Sequence, residues 1–280
     1  EASDKLSMVW SGKEITYADL LKSIELSNEF LIKNKIFPGQ VIALKGDFTP
    51  FTISLLISLI NNQNIIVPFN NPMKDSEQVK FEVARVQKTI SVDIDTDICK
   101  VENTGFDGNH EYYTKLRDLE VSGLVLFSSG TSGVPKGAVH NFQKLLQKFK
   151  TQRKSLRTIN FLLFDHWGGL NTLLHTLSNC GVVLALYNRK PDFVCKFVQD
   201  NNVELLPVSP SFLNLMILSE TYKKYDLSSL KLISYGTEPM PETTLKRAKK
   251  LFPDVRFQQT YGLIELGVLR SKSKSDDSLW

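Results

Sequence analysis

An α/β fold of mostly parallel, doubly wound sheets is predicted by two features of the sequence. Short apolar runs of strand character recur down the chain, at 41–44, 65–69, 124–127, 182–187 and 232–235 among others, and helix-like segments separate them. Continuous apolar runs of this length suit strands buried on both faces, and strands that alternate with helices pair in parallel. In such sheets ligands sit beyond the C-terminal ends of the strands, so chemistry is sought just after each run.

Residues 8–17 read as a hairpin with Ser11-Gly12-Lys13 at its turn, feeding a helix that Thr16 caps with Asp19 three positions on. Leu20, Leu21, Ile24, Phe30 and Leu31 lie on or near one face of that helix, and Phe37-Pro38-Gly39 stops it. A strand at 41–44, a helix at 51–60 and a strand at 65–69 follow. Next come a helix from about Asp75, with Val79, Val83 and Val86 at helical spacing, and a strand at 89–94. Between Lys100 and Glu120 the pattern dissolves into Asn103-Thr104-Gly105 and Asp107-Gly108-Asn109, which read as a loop. A chain of 280 residues suits one large domain or two lobes, and that loop divides it into lobes of 1–120 and 121–280. Strands are expected thereafter at 124–127, 161–164, 182–187, 204–208, 232–235 and 256–260, with a helix from Asn141 onward. No internal repeat or low-complexity segment is visible.

With 42% hydrophobic and 23% charged residues, the composition is that of a soluble globular protein. A net charge of +4 over a surface of this size argues against a dedicated nucleic-acid binder but allows mild attraction to a polyanion. Cys99, Cys180 and Cys195 are widely separated and form no C-x-x-C pair, which argues against a disulfide framework or a zinc site and fits a reducing, cytoplasmic setting. The longest apolar stretch, 48–60, is too short to span a bilayer and contains Pro50, so a buried helix and no membrane span are expected. No signal peptide is visible at the N-terminus. Lys144, Lys148, Lys150, Arg153, Lys154 and Arg157 form a basic run that either steers an anionic partner or is one solvated helix face.

The most specific stretch is Ser128-Ser129-Gly130-Thr131-Ser132-Gly133-Val134-Pro135-Lys136-Gly137, placed between a strand and the helix expected from Asn141. Such a loop lets backbone N–H groups and hydroxyls converge on one anion while Lys136 adds a positive charge, and its natural ligand is a phosphate. Gly130-x-x-Gly133-x-x-Lys136 is not the G-x-x-x-x-G-K-[ST] of a P-loop NTPase, since no Ser or Thr follows the lysine to hold magnesium. A lone Ser/Gly loop is usually a solvent-exposed turn; three glycines, several hydroxyls and the Lys-Gly pair set this one apart. The string closely resembles the phosphate loop of the adenylate-forming superfamily, which includes acyl-CoA synthetases, firefly-type luciferases and nonribosomal peptide synthetase adenylation domains.

Three further segments follow expected strands. Phe164-Asp165-His166-Trp167-Gly168-Gly169 contains a histidine that in isolation reads as structural. Its H-x-G-G pattern resembles the superfamily segment bordering the carboxylate site, which implies that His166 gates or orients the acyl group and that Trp167 walls its pocket. In a second register Phe164-Asp165 matches the pair with which amino-acid-activating relatives hold the substrate ammonium through the carboxylate of Asp165. Tyr235-Gly236-Thr237-Glu238-Pro239 alone reads as a tight turn, but it resembles the stretch that packs against adenine, where Gly236 lets a flat ring approach. Tyr261-Gly262-Leu263-Ile264-Glu265 resembles the motif Y-G-x-T-E. Tyr261 then offers a face to adenine, and Glu265 a hard oxygen to the magnesium that bridges ATP phosphates. Ile264 stands where the family has a threonine that contacts the α-phosphate, and loss of one such preorganised donor costs roughly a hundredfold in rate.

The resemblance runs from Trp10 to Gly267 and implies the large N-terminal domain of an acyl-CoA synthetase-like fold. It implies ATP-dependent activation of a small carboxylic acid. The carboxylate attacks the α-phosphate of Mg2+-ATP, giving an acyl-adenylate and pyrophosphate. A thiol then takes the acyl group, either that of CoA or the phosphopantetheine of an acyl or peptidyl carrier protein. Ser128, Ser129, Gly130, Thr131, Ser132, Gly133 and Lys136 would hold the phosphates, with Lys136, His166 and Glu265 as the catalytic set. Relatives continue to a Thr-Gly-Asp motif and a small C-terminal domain bearing a catalytic lysine. Neither appears before Trp280, so the expectation is a large domain that binds nucleotide without completing turnover. The rival readings are an amino-acid-adenylating domain and, on the strength of Ile264 and the missing domain, a non-catalytic nucleotide- or acyl-binding module.

Overall fold

The computed structural model describes residues 3–70, 78–94, 96, 98–128, 135–265 and 267–269. Its first half runs β1 (Leu6–Trp10), β2 (Lys13–Thr16), α1 (Tyr17–Lys33), β3 (Val41–Lys45), α2 (Pro50–Asn61), β4 (Ile65–Phe69), α3 (Gln78–Val83), β5 (Lys88–Val92), β6 (Cys99–Asn103), α4 (Glu111–Asp118), β7 (Gly123–Ser128) and β8 (Lys136–Asn141). Then come α5 (Phe142–Leu146), β9 (Arg157–Asn160), α6 (Trp167–Ser178), β10 (Val182–Ala185), α7 (Pro191–Asn201), β11 (Leu205–Val208), α8 (Pro210–Leu218), β12 (Leu232–Tyr235), α9 (Glu242–Leu251), β13 (Arg256–Gln259), β14 (Tyr261–Leu263) and β15 (Gly267–Leu269). The contacts divide the chain into two units. One comprises Glu1–Lys5, Thr16–Thr151 and Leu163–Trp167, and the other Leu6–Ile15, Gln152–Leu162 and Gly168–Trp280.

The first unit is built on a six-stranded sheet in the order β6-β5-β3-β4-β7-β8. Its four inner strands pair in parallel, and the edge strands β6 and β8 run antiparallel to their neighbours. Val41, Ala43, Ile65, Val67, Phe81, Tyr113 and Val125 fill one core layer. β3 and β4 are apolar on both faces because both faces are covered, as expected of inner parallel strands. Thr16 and Asp19 form the expected capping box of α1. Thr49 caps α2, its hydroxyl accepting the Thr52 N–H at 3.1 Å, with Pro50 at the first helical position where no N–H is needed.

The second unit is built on a seven-stranded sheet in the order β13-β12-β11-β9-β10-β1-β2. Pairing is parallel from β13 through to β1. Ile159, Leu184, Val194, Leu206, Phe212, Ile233 and Phe257 belong to its core. The expected α/β class, with two mostly parallel sheets, is the one observed.

Several local expectations are corrected. The units do not follow lobes of 1–120 and 121–280: β7 pairs with β4 in the first sheet, and β1 pairs with β10 in the second. The stretch from Lys100 to Glu120 is not one loop, since it holds the end of the polar edge strand β6 and all of α4, whose Tyr113 and Leu116 are buried. Edge position explains the weak apolar signal of β6, and four or five residues are too few to show a period. The strand expected at 161–164 lies instead at Arg157–Asn160, where Thr158 and Asn160 are buried polar residues. The aromatic side chains after it serve packing: Phe161 meets Phe212 in the second unit, while Phe164 meets Phe48 in the first. In α3, Val79 and Val83 are exposed and Phe81 is buried, so the valine spacing traced the wrong face. The expected helix start at Asp75 lies outside the described residues.

After α5 a short 3-10 turn places the Lys148 ammonium 4.9 Å from the Phe149 ring centroid and 5.0 Å from that of Trp167. Burial pushes the pKa of Lys148 from 10.5 down to about 8. Between these values the unfolded chain carries the extra proton, so stability rises with pH across that window. Lys148→Met is expected to flatten the slope between about pH 8 and pH 10.5, read by denaturant midpoints against pH. Thr49→Ala, which strips the buried cap from α2, is expected to cost about 1–2 kcal/mol in urea unfolding with an unchanged m-value.

Candidate functional site

In the first unit the phosphate-loop motif sits between two antiparallel strands, with Ser128 at the end of β7 paired to Lys136 at the start of β8. Ser129, Gly130, Thr131, Ser132 and Gly133 lie outside the described residues. Residues 136–141 pair along β7 as a strand, so a strand that was not expected precedes the helix expected from Asn141, which forms as α5 with Asn141 as its cap. No helix N-terminus follows the loop directly, and the cation there is the exposed Lys136. The parallel register of β4 on β7 sets Ile66 against Leu124. Counted along that register, Asn70, just past β4, comes level with Ser128.

The His166 segment belongs to the same unit up to Trp167. Residues 163–166 make a turn closed by the His166 N–H donating to the Leu163 carbonyl at 3.1 Å. Its two central residues are both held by Asn70. The Phe164 N–H donates to Asn70 Oδ1 at 3.1 Å, and the Asn70 amide NH2 donates to Asp165 Oδ1. The Phe164 ring is buried edge-on against Phe48 at 5.3 Å. The Asp165 side chain is 16% exposed and that of His166 57%, with Nε2 of the imidazole 3.8 Å from Asp165 Oδ1. Trp167 is buried, with the His140 ring nearly parallel to it at 6.1 Å. Among the described residues its indole N–H has no hydrogen-bond partner. A cavity of about 110 Å³ lined by Tyr113, Phe127, Gly137 and Val139, with other residues, also borders the hairpin of β7 and β8, and none of the candidate residues lines it.

The second unit brings two motifs together. β12 and β13 are parallel neighbours with Tyr235 level with Gln259, so residues 235–239 and 259–265 leave the sheet side by side. The Thr260 N–H donates to the Tyr235 carbonyl at 2.7 Å. A Cβ at Gly236 would lie 2.5 Å from Thr260 Oγ1 and 2.6 Å from its carbonyl oxygen, so this close approach admits only glycine. Thr237 has φ +73°, a left-handed conformation that a β-branched residue adopts only under constraint. Glu238 Oε1 accepts the Ser211 N–H at 2.7 Å in the first turn of α8, and that bond holds its carboxyl below the usual carboxylate range. Pro239 is exposed beside it. Tyr235 is buried, which pushes its phenol pKa up, whereas Tyr261 is 54% exposed at the start of β14. Gly262 is also exposed, and exposed Glu265 stands in the turn between β14 and β15. Ile264 is partly buried.

In the first unit Ser128 ends β7, Lys136 begins the antiparallel β8, and Asp165 and His166 lie on the turn held by Asn70 just past β4. In the second, Gly236 to Pro239 and Tyr261 to Glu265 follow the C-terminal ends of the parallel neighbours β12 and β13. Sequence reasoning passed over Asn70 and Thr260 as site residues. For Asn70 the available signal was its place one residue beyond the run 65–69.

A sequence profile of the family described as AMP-binding enzyme matches residues 1–278. Among curated proteins the chain is 24% identical to a 4-coumarate–CoA ligase-like protein (number 9) of Arabidopsis thaliana, covering 91% of this chain and 51% of that protein. It is 27% identical to 4-coumarate-CoA ligase 1 of Narcissus pseudonarcissus, covering 94% of this chain and 54% of that one. The chain therefore spans about half the length of these relatives. Among solved structures, the luciferase-like enzyme from the nonluminescent Zophobas morio mealworm matches with a TM-score of 0.76 at 16% identity, over 96% of this chain and 71% of that one. At that identity the fold is what is shared. A profile match along nearly the whole chain makes this chain a member of the AMP-binding enzyme family.

Proposed function

We propose that this chain is the acid- and nucleotide-binding part of an AMP-forming acid–thiol ligase of the acyl-CoA synthetase type. Its carboxylic acid substrate attacks the α-phosphate of ATP, and the acyl-adenylate passes to a thiol, that of CoA or of a carrier protein's phosphopantetheine. The observation that carries this reading is the pairing of Ser128 with Lys136, which puts a cation at the base of a loop of glycine and hydroxyl residues inside a family defined by AMP binding. Lys136 holds the departing phosphates by charge, and Ser128 with residues 129–133 supplies the remaining donors. His166, whose side chain is 57% exposed on its turn, orients the acyl carboxylate. Gly236, whose backbone packs against Thr260, sets exposed Thr237 and Pro239 beside exposed Gly262 to border the adenine, and the exposed ring of Tyr261 stacks on it. Glu238 acts here through α8, which its carboxylate caps.

Among the described residues no three His, Cys, Asp or Glu gather into a metal cage. Exposed Glu265 suits a different arrangement, in which Mg2+ arrives on the triphosphate and takes one carboxylate from the protein. When bound, that ion neutralises charge on the transferring phosphoryl group. Cys99, Cys180 and Cys195 form no disulfide with one another, which supports a reducing, cytoplasmic setting. Among the described residues no helix is long and apolar enough to cross a membrane.

A second reading, a nucleotide- or acyl-binding module without catalysis, rests on Ile264, which removes the hydroxyl the family offers to the α-phosphate. Two measurements test the proposal. Isothermal calorimetry with Mg2+-ATP is expected to show binding that Lys136→Ala weakens about tenfold or more; binding that is absent, or indifferent to that change, rejects the phosphate cradle. Ile264→Thr is expected to raise acid-dependent pyrophosphate exchange by about a hundredfold if the site is catalytic. Absence of exchange in both forms favours the binding module.

A further inference from the structure

The turn carrying His166 has a support that neither its own segment nor the family motifs contain. Asn70 uses both ends of its amide on consecutive residues of that turn, accepting the Phe164 N–H and donating to the Asp165 carboxylate. These bonds reach across 94 and 95 positions and join the end of β4 to a turn that lies in no strand. An asparagine amide is planar and rigid, so two bonds to adjacent residues fix the orientation of the whole turn. Phe164, buried against Phe48, fixes its base. Of the turn's two polar side chains, the imidazole of His166 faces solvent while the Asp165 carboxylate is turned inward at 16% exposure.

We propose that Asn70 is a positioning residue for acid activation, and that Asp165 is the strut through which it presents His166. On this assignment the substrate is an acid with no ammonium group beside its carboxylate. A receptor for an ammonium must direct its carboxylate at the ligand, and here one carboxylate oxygen is engaged by the protein's own amide while most of the side chain is covered. The inference rests on the acid-activation reading above, and it sharpens that reading by separating simple acids from amino acids. β4 and β7 are parallel neighbours, so Asn70, just past β4, and Ser128, the last residue of β7, lie at the same C-terminal end of the sheet.

The test compares Asn70→Ala, Asp165→Ala, the Asn70→Ala/Asp165→Ala double variant and the conservative Asp165→Asn. Amide hydrogen exchange of Phe164 is read first, because it reports on the clamp without requiring activity. Asn70→Ala is expected to lose the Phe164 protection. In pyrophosphate exchange with 3-phenylpropionate, Asn70→Ala and Asp165→Ala are each expected to lose about 10- to 100-fold in kcat/KM for the acid, with KM for ATP unchanged. The double variant should lose no more than Asn70→Ala alone, since that change already removes the contact that Asp165→Ala breaks. Asp165→Asn, which keeps an acceptor for the Asn70 amide, should recover most of the loss. Phenylalanine, which differs from 3-phenylpropionate by an α-ammonium, should not support exchange. Asp165→Ala probes the contact from its other side should Asn70→Ala not fold. Unchanged Phe164 exchange in Asn70→Ala, additive losses, or turnover of phenylalanine that Asp165→Asn selectively abolishes would each overturn the proposal. If the unmodified protein supports no pyrophosphate exchange, the Phe164 hydrogen exchange by itself decides the clamp, and calorimetry with Mg2+-ATP decides the functional reading.

Discussion

Parallel pairing of β4 with β7 sets the geometry of the first unit. Once Ile66 lies opposite Leu124, the residues that follow the two strands must emerge at one edge of the sheet, and these are Asn70 and the beginning of the Ser/Gly/Thr loop. The pairing is rigidly specified because both strands are buried on both faces, where a slip of one residue would leave backbone groups unpaired and turn every side chain over. The return strand β8 then closes the loop onto its own origin, so that Lys136 stands beside Ser128. A hairpin, rather than the start of a helix, is what brings the cation to the loop.

The second unit reaches the same end by a different constraint. Parallel pairing of β12 with β13 runs the backbone at Thr260 so close to Gly236 that no Cβ fits between them. The chain must leave β12 through an exposed turn with Thr237 in the left-handed region, and it leaves β13 into a hairpin that exposes Tyr261 and Glu265. A small residue and a strained turn at paired strand ends are what a flat, polar ligand requires, and constrained backbone of this kind tends to occur where ligands bind. Glu238 shows how differently a neighbour in the same motif can be used: its carboxylate is spent on the first turn of α8.

Local chemistry was readable along the chain. The capping box at Thr16 and Asp19 and the buried runs of β3 and β4 are written in residues a few positions apart, and each came out where its pattern placed it. Misreadings arose where a segment's partner is distant. β6 is a polar edge strand recognisable only by its pairing with β5, and the valines of α3 lie opposite the Phe81 face that the core selects. The run 161–164 looked like a strand because its aromatic residues are apolar, yet Phe161 packs on Phe212 and Phe164 on Phe48 outside any strand.

Family membership, the α/β class and the order of the motifs were therefore encoded by short strings, whose meaning depends on composition and spacing alone. Which side chains meet was not. The bonds from Asn70 to Phe164 and Asp165 join positions 94 and 95 residues apart, and the steric demand of Thr260 on Gly236 exists only because two strands lie in register. Such contacts are chosen by the packing of whole sheets, a collective property that no window of sequence contains.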